Sequence, residues 1–344
     1  MELKWQIFRT ILTIILCSVW VSQATSRAIQ GAASMAERHE QWMASYGRQY
    51  EGVAEKEKRY RIFKSNVEFI DMVNGAGNRP YRLGINGFAD LTNDEFRAAY
   101  IGGAFKPSAA AKSSEMNTFR YDDDISGAIP PSIDWRKKGA VTPIRGGECG
   151  AWTFPAVDTV EAITKIKTGK LYTLSVQEIV DCINGCSDGC TGGFTIEAFE
   201  FIKNHGLTTQ SNYPSTGTNG TCNAKKEAQP VAKISGYETV PAGDENALMK
   251  AVAKQPVAVY VDASGPEFQF YAGGVFSGDC GTTLDLGGTV VGYGVSHGDK
   301  QEYWVLKNSW GTRWGEKGYM RLARGINKEG GQCGVAMEAT YPVV

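Results

Sequence analysis

The positions of the cysteines constrain this chain more than any other sequence feature. Cys17 lies near the N-terminus, residues 35–100 contain none, and the other seven fall between Cys149 and Cys333. This grouping is typical of a disulfide-bonded domain made in an oxidising compartment. With 344 residues, 42 % of them hydrophobic, the chain can form two or three structural units. Its net charge of −1 excludes the basic footprint of a dedicated nucleic-acid binder.

The first 24 residues are predicted to be a secretory signal peptide. Lys4 and Arg9 precede the mainly apolar stretch Ile11–Val21, and small residues place cleavage after Ala24. The apolar stretch is about half the length of a membrane span, and no later stretch is longer. We therefore expect a protein of the secretory pathway, delivered to a vacuole or lysosome or to the extracellular space, with no membrane partner. On that route Asn219-Gly220-Thr221 is a glycosylation sequon.

The rest of the chain divides into two regions of different character. In residues 35–100, charge is dense and Tyr60, Phe63, Val67 and Ile70 recur at helical spacing, which predicts a helical unit with one buried face. Residues 106–114 and 122–124 have little to bury and indicate an exposed linker open to proteolysis. The predicted organisation is thus a signal peptide at 1–24, a helical region at 25–127 and a larger domain at 128–344.

The larger domain changes from helical to β-type patterns along its length. Three helices are predicted in its first half and three strands in its second half: Val157–Lys167, Ser175–Asp181, Phe194–Asn204, Val257–Val261, Thr289–Val295 and Tyr303–Leu306. The predicted class is therefore α+β.

Two motifs stand out in the helical region. One is the pattern E-x3-R-x3-F-x2-N-x3-I-x3-N, formed by Glu55, Arg59, Phe63, Asn66, Ile70 and Asn74. The other is G-x-N-x-F-x-D at Gly84–Asp90, which we interpret as a strand. Ten specified positions at fixed offsets form a specific signal.

The larger domain contains five further motifs in order. They are Asp134-Trp135-Arg136, Gly139–Pro143, Cys190-Thr191-Gly192-Gly193, Gly292-Tyr293-Gly294 and Asn308-Ser309-Trp310-Gly311. With the helical motifs, they make nearly the whole chain resemble the precursor of a papain-family cysteine protease, of the plant vacuolar and senescence-associated type.

The resemblance implies a specific architecture and binding mode. It implies a two-lobed fold with one helical and one β-rich lobe, preceded by an inhibitory propeptide that binds the cleft between the lobes. Gly192 and Gly193 would pair through their backbone with an extended peptide, Asn308 would orient a catalytic imidazole, and Trp310 would shield that contact. Gly192 and Gly193 could equally form only a tight turn. We expect a monomer without cofactor or metal.

The catalytic positions depart from the pattern of that family. The nucleophilic cysteine should directly precede a Trp, in a C-G-S/A-C-W segment. Here Cys149-Gly150 leads to Ala151 before Trp152, and the segment is two residues shorter than the family pattern. A glutamine for the oxyanion should precede Cys149 by three residues, but Gly146 stands there.

The base is also absent from its expected place. The family has His after Asp in this segment, whereas Leu286 follows Asp285 here. The sequence has three histidines, of which His39 lies in the propeptide, His205 ends a predicted helix and His297 lies in a predicted turn. Asn308 remains, but no imidazole is left for it to orient.

Pro155 predicts a further change at the start of the long helix. Proline lacks an N–H and suits the first turn of a helix, so we expect this helix to begin near Phe154.

The resemblance also implies disulfides between Cys149 and Cys190, Cys182 and Cys222, and Cys280 and Cys333, leaving Cys186 over. In an alternative, Cys186 pairs within the loop from 182 to 190 and frees Cys149 as a nucleophile. A zinc site at Cys182, Cys186 and Cys190 has the right kind of ligand, but no histidine is near in sequence.

Two functions follow from these residues. The first is a non-catalytic papain-family protein whose cleft holds an extended peptide or a protein protease inhibitor. The second is an active cysteine endopeptidase of protein degradation that uses Cys149 or another thiol. A third reading is a decayed gene product that folds poorly.

Overall fold

The computed structural model describes residues 34–101, 119–121, 129–146, 149–183, 189–190, 192–298 and 300–344. The helices are α1 (Met35–Tyr46), α2 (Gly52–Gly75), α3 (Asn93–Tyr100), α4 (Phe154–Thr168), α5 (Val176–Cys182), α6 (Thr195–His205), α7 (Ala224–Glu227), α8 (Glu245–Lys254) and α9 (Pro266–Gln269). The strands are β1 (Tyr81–Leu83), β2 (Ile133–Asp134), β3 (Gly236–Thr239), β4 (Val257–Val261), β5 (Tyr271–Phe276), β6 (Leu286–Val295), β7 (Glu302–Lys307), β8 (Tyr319–Ala323) and β9 (Ala339–Val343). The predicted signal peptide, both linker segments and Cys186 lie outside the described residues.

The chain divides into two compact units, one up to Asn66 and the other from Val67 onwards. In the first, Ser34 and Glu37 form a capping box that starts α1. His39 is buried, and its ring centroid lies 5.0 Å from that of Phe63 and 5.9 Å from that of Trp42. An aromatic cluster therefore forms the interior of this unit.

Helix α2 has the single buried face that the spacing predicted. Phe63, Val67 and Ile70 are buried, and Tyr60 is half-buried. No described helix is long and apolar enough to cross a membrane.

The second unit contains a mostly antiparallel sheet and a separate group of helices. In the described part of the chain the sheet has the order β1-β5-β8-β7-β6-β4-β9-β3, and β2 pairs with β6. Only the pairing of β5 with β8 is parallel. One buried cluster, with Trp304, Leu306 and Val259, fills the sheet side. A second cluster, with Val160, Phe199 and Ile202, lies among α4, α5 and α6.

The expected helical and β-rich lobes are thus present, each with its own core. The predicted strands Val257–Val261, Thr289–Val295 and Tyr303–Leu306 correspond to β4, β6 and β7. The three predicted helices correspond to α4, α5 and α6.

The interpretation of Gly84–Asp90 as a strand was wrong. Strand β1 ends at Leu83, and the motif after it forms an irregular segment and turns. Asn86 accounts for the difference, because its side chain accepts a hydrogen bond from Phe88 N at 3.0 Å and donates one to Gln269 O at 2.7 Å. Such bonds compete with a strand ladder for the local backbone.

Candidate functional site

The segment before the long helix is held by a disulfide and a tight turn. Cys149 is bonded to Cys190, and Gly150 N donates to Cys190 O at 3.1 Å. Gly150 has a φ of 74°, which favours glycine. A 3-10 turn over Ala151–Thr153 then leads into α4 at Phe154, with Pro155 in its first turn. The predicted helix start is confirmed, and Ala151 already lies in the preceding turn.

Leu286 lies at the start of β6, where it is buried and pairs with Val261 of β4. Cα atoms of β6 and of the 3-10 turn that contains Ala151 come within 8 Å of one another. The structure therefore brings the elements that carry Ala151 and Leu286 together. The side chains of these residues are a methyl group and an isobutyl group, neither of which can act as a nucleophile or a base.

Asp285, the residue before Leu286, is a buried carboxyl group. It accepts a hydrogen bond from Ala263 N at 2.8 Å. Burial raises the pKa of Asp285 to about 6, and the neighbouring Asp262 adds to the rise. The Asp285 carboxyl group therefore stabilises the backbone at Ala263.

Asn308 is buried, and its Oδ1 accepts a hydrogen bond from Ser309 N at 2.7 Å. Its Nδ2 has no hydrogen-bond partner among the described residues. Trp310, two residues on, packs edge-on against Phe96 and Phe88 of the propeptide, with ring centroids 5.2 and 5.7 Å apart. The propeptide therefore covers Trp310, and the implied roles of Asn308 and Trp310 stay predictions.

A small cavity lies beside Asn308. It has about 220 Å³ of empty space, part of it open to solvent. Its lining consists of Arg145, Phe154, Pro155, Asp158, Gly287, Gly288, Thr289, Lys307, Asn308 and Ser309. Thr289 Oγ1 and Arg145 Nε are also buried without a partner in the described part of the chain. The cavity is therefore lined with unused polar groups, and among its lining residues neither a thiol nor an imidazole occurs.

Sequence reasoning missed a buried ionic cluster behind this cavity. Lys307 Nζ lies 2.9 Å from Asp158 Oδ1 and 3.1 Å from Thr142 Oγ1, and Lys307 is only 3 % exposed. Arg145 binds Glu161, and its Nε lies 3.6 Å from Asp158 Oδ1. Two cations and two carboxylates balance, as buried charges require. No local pattern predicts this cluster, since Asp158 and Lys307 are 149 positions apart.

Gly192 and Gly193 have different surroundings. A Cβ on Gly193 would lie 2.7 Å from the Trp152 ring, so this position requires glycine for close packing. A Cβ on Gly192 would meet nothing within 4 Å. Gly193 therefore has a structural reason to be glycine, while space remains open beside Gly192.

The propeptide is held to the larger domain by buried amides as well as by aromatic rings. Asn86 Nδ2 donates to Gln269 O, as described above, and Asn93 Nδ2 donates to Gln269 Oε1 at 3.0 Å and to Ser264 O at 3.1 Å. Tyr81 and Arg79 both bind the carboxylate of Glu267. These contacts place the propeptide side chains on the Trp310 side of the domain.

Among the cysteines that the structure describes, three disulfides form, Cys149–Cys190, Cys182–Cys222 and Cys280–Cys333. Cys182, Cys222 and Glu227 lie close enough to resemble a metal site, but both sulfurs belong to a disulfide and cannot act as thiolate ligands. The zinc arrangement of Cys182, Cys186 and Cys190 is incompatible with these pairings.

The three histidines lie elsewhere in the fold. His39 is in α1, and His297 is in the turn after β6. His205 ends α6, as predicted, and its Nδ1 lies 2.8 Å from Glu227 Oε1.

Comparisons with known proteins match both regions of the chain. The family model of the papain family cysteine protease matches residues 129–343, and that of the cathepsin propeptide inhibitor domain (I29) matches residues 39–96. Senescence-specific cysteine protease SAG12 of Arabidopsis thaliana is 50 % identical over 338 residues, with 96 % of each chain covered. Senescence-specific cysteine protease SAG39 of Oryza sativa subsp. japonica is 50 % identical over 343 residues, with 98 % of each covered.

Solved proform structures resemble the fold over most of its length. The recombinant stem bromelain precursor has a TM-score of 0.80 and 43 % identity, covering 90 % of this chain and 99 % of the other. The proform of Amb a 11, a ragweed pollen allergen, has a TM-score of 0.82 and 39 % identity, covering 90 % and 94 %. With its propeptide, its two lobes and these matches, the chain belongs to the papain family of cysteine proteases.

Proposed function

We propose that this chain is a non-catalytic member of its family, which binds an extended peptide or a protein protease inhibitor in its cleft without cutting it. The observation that carries the proposal is the pair of side chains at the catalytic positions, Ala151 and Leu286, on elements that adjoin. Loss of a nucleophile or a base typically lowers turnover about a million-fold, and the two losses do not add.

The remaining cysteine chemistry supports the same proposal. Cys149, the cysteine nearest to Trp152 in sequence, is bonded to Cys190 and has no thiol to offer. His205 pairs with Glu227, which is itself next to the Cys222 sulfur. His205 therefore has a carboxylate partner of its own.

Features that serve binding are retained. Trp310 and the open space beside Gly192 are retained. The buried ionic cluster lines the cavity beside Asn308. Expression that gives only aggregate would favour a decayed product that folds poorly over this proposal. We place the protein in the secretory pathway, in a vacuole or outside the cell.

Turnover of a dipeptidyl fluorogenic substrate by the processed protein tests this proposal. The matched variant is a rebuilt enzyme, with glutamine inserted between Gly146 and Gly147, cysteine inserted between Ala151 and Trp152, and Leu286→His. We expect hydrolysis by the rebuilt protein alone. Hydrolysis by the natural protein, blocked by a thiol reagent, would support the alternative of an active endopeptidase.

Direct binding provides the second readout. A protein inhibitor that fills the cleft of papain-family enzymes without reacting with their thiol should bind the processed natural protein, measured by calorimetry. Absence of binding by both natural and rebuilt proteins would contradict a cleft-binding role.

A further inference from the structure

The glycosylation sequon lies on an exposed loop that the proposed function does not use. Asn219-Gly220-Thr221 is the one N-x-S/T sequon in the sequence, and all three residues are exposed. The loop runs between the buried Tyr213 and Cys222, whose disulfide to Cys182 fixes its end. Asn219 is therefore exposed on a loop whose end is held by a disulfide.

The two ends of the Asn219 amide have different environments. Its Oδ1 accepts a hydrogen bond from Cys190 N at 2.6 Å. Its Nδ2 donates to none of the residues that the structure describes. Gly220 N donates to Asp181 Oδ1 at 2.8 Å, which fixes the backbone beside it. A substituent on Nδ2 would replace neither the Oδ1 acceptor nor the Gly220 donor, so both of these bonds can persist.

The Asn219 side chain is anchored to the chain segment that precedes Gly192 and Gly193. Gly189 O, beside Cys190, accepts a hydrogen bond from Trp152 Nε1 at 2.8 Å, and Gly193 packs on the same indole ring. Three residues of chain, from Cys190 to Gly193, span at most about 11 Å. A bulky group on Asn219 would thus stand next to the backbone that would pair with a bound peptide.

We propose that Asn219 carries an N-linked oligosaccharide, and that this glycan hinders large protein partners at the cleft while admitting short extended peptides. In the attachment step, Nδ2 forms a bond to the anomeric carbon of a lipid-linked oligosaccharide. The bond from that carbon to the phosphate oxygen breaks, the lipid diphosphate leaves, and the amide loses one proton. The proposal that Asn219 is glycosylated does not depend on the proposed function. The proposal that the glycan hinders large partners, called the screening role below, rests on that function.

Mass spectrometry of the full chain secreted from eukaryotic cells tests the attachment. We expect the natural protein and Thr221→Ser to carry one oligosaccharide, and Thr221→Ala and Asn219→Asp to carry none. Thr221→Ala preserves the Asn219 amide, and Asn219→Asp preserves an oxygen that can accept from Cys190 N. An unmodified natural protein would overturn the proposal.

Binding measurements on the processed protein test the screening role. Enzymatic release by an amidase leaves aspartate at position 219, so Asn219→Asp is its matched control. We expect a protein inhibitor to bind both glycan-free forms at least fivefold more tightly than the glycosylated form, with the affinity for a hexapeptide changed less than twofold.

Equal inhibitor affinity in all forms would overturn the screening role. If neither ligand binds any form, the cleft-binding function fails and the screening role with it. The mass shift would still decide the attachment separately.

Discussion

At the scale of single residues, Glu178 is a carboxyl group in a buried environment that disfavours its ionised form. It is fully buried in α5, its Oε2 accepts a hydrogen bond from Thr208 N at 2.8 Å, and its Oε1 has no partner in the described part of the chain. Burial raises the pKa of Glu178 from 4.5 to about 7. The folded state therefore retains a proton that the unfolded state releases at lower pH.

The Glu178→Gln variant should gain stability relative to the natural protein as the pH rises. Because the folded pKa is raised, the folding stability contributed by protonated Glu178 is fully present below pH 4.5 and is lost as pH rises through 7. Glutamine can accept from Thr208 N without ionising. We expect the free energy of unfolding of the variant, relative to the natural protein, to increase by up to about 3 kcal/mol between pH 4.5 and pH 8.

Urea unfolding at several pH values measures this difference. Glu329→Gln, at an exposed position, is the control. We expect its free energy of unfolding, relative to the natural protein, to change by less than about 0.5 kcal/mol over the same pH range. A Glu178→Gln difference that does not vary with pH would contradict the assigned pKa.

Removing one partner of the Lys307–Asp158 pair should lower the free energy of unfolding by more than half of what removing both partners does, because removing both leaves no unbalanced charge. Lys307→Met or Asp158→Leu alone leaves an unbalanced buried charge, so each should lower the free energy of unfolding by about 3 to 5 kcal/mol. The double variant removes both charges and should lose clearly less than the sum of the two. Thermal unfolding of all four proteins gives the coupling, and strict additivity would show that the pair contributes nothing.

At the scale of elements, the start of α4 and the start of β6 fit one another. Pro155 is buried in the first turn of α4, and a Cβ on Gly287 would lie 3.0 Å from Pro155 Cγ. The proline therefore faces a position where the strand has no side chain. This contact joins the two lobes close to Ala151 and Leu286.

The Gly287→Ala variant should accordingly depend on Pro155. Overpacking at 3.0 Å should destabilise the protein by about 1 kcal/mol or more. In the Pro155→Ala background the crowding atom is gone, so the same change should be close to neutral. Melting temperatures of the two single variants and the double variant measure this, and an equal effect of Gly287→Ala in both backgrounds would be inconsistent with the contact.

The sequence predicted elements well where local pattern and packing agree. Alternation and apolar runs placed β4, β6 and β7, and the lack of an N–H in Pro155 placed the start of α4. Gly84–Asp90 was misread because Asn86 bonds to the backbone of Gln269, 183 positions away. Such a contact leaves no periodic signal in the chain.

At the scale of the whole molecule, the propeptide segment from Val67 onwards packs in the same compact unit as the two lobes. Phe96 is fully buried, and its ring lies 5.1 Å from Phe88 and 5.2 Å from Trp310. Beyond it, Arg120 binds Glu238 and Tyr121 packs on Tyr341, so the described residues between the two expected linker segments are anchored. This anchor was also missed from sequence.

The precursor should therefore bind a cleft ligand only when its propeptide is loosened. Phe96→Ala removes a buried ring, which typically costs about 3 to 5 kcal/mol, and should let the uncleaved precursor bind the inhibitor. Cleavage at a protease site introduced at residues 122–128 should have the same effect. Arg120→Ala is the control, because its ion pair with Glu238 is part exposed. Equal inhibitor affinity of the natural precursor and its cleaved form would contradict this blocking role.

The sequence named candidate site residues but not their surroundings. The motifs single out Asn308, Trp310 and Gly192, because each lies at a fixed offset from a recognisable neighbour, and their roles stay predictions. The cavity beside Asn308 and its charged wall depend on how distant segments pack. No short sequence window contains that information.

The Cys149–Cys190 disulfide has a consequence for how a reductant acts on a non-catalytic member of this family. A thiol enzyme needs its cysteine reduced, so reductant and activity rise together. Here the same treatment opens a cross-link of 41 residues, along with others of 40 and 53. Each link of this length stabilises the fold by about 4 kcal/mol in chain-entropy terms. Under the proposed non-catalytic function, a reductant should therefore lower the stability of this protein and produce no hydrolysis.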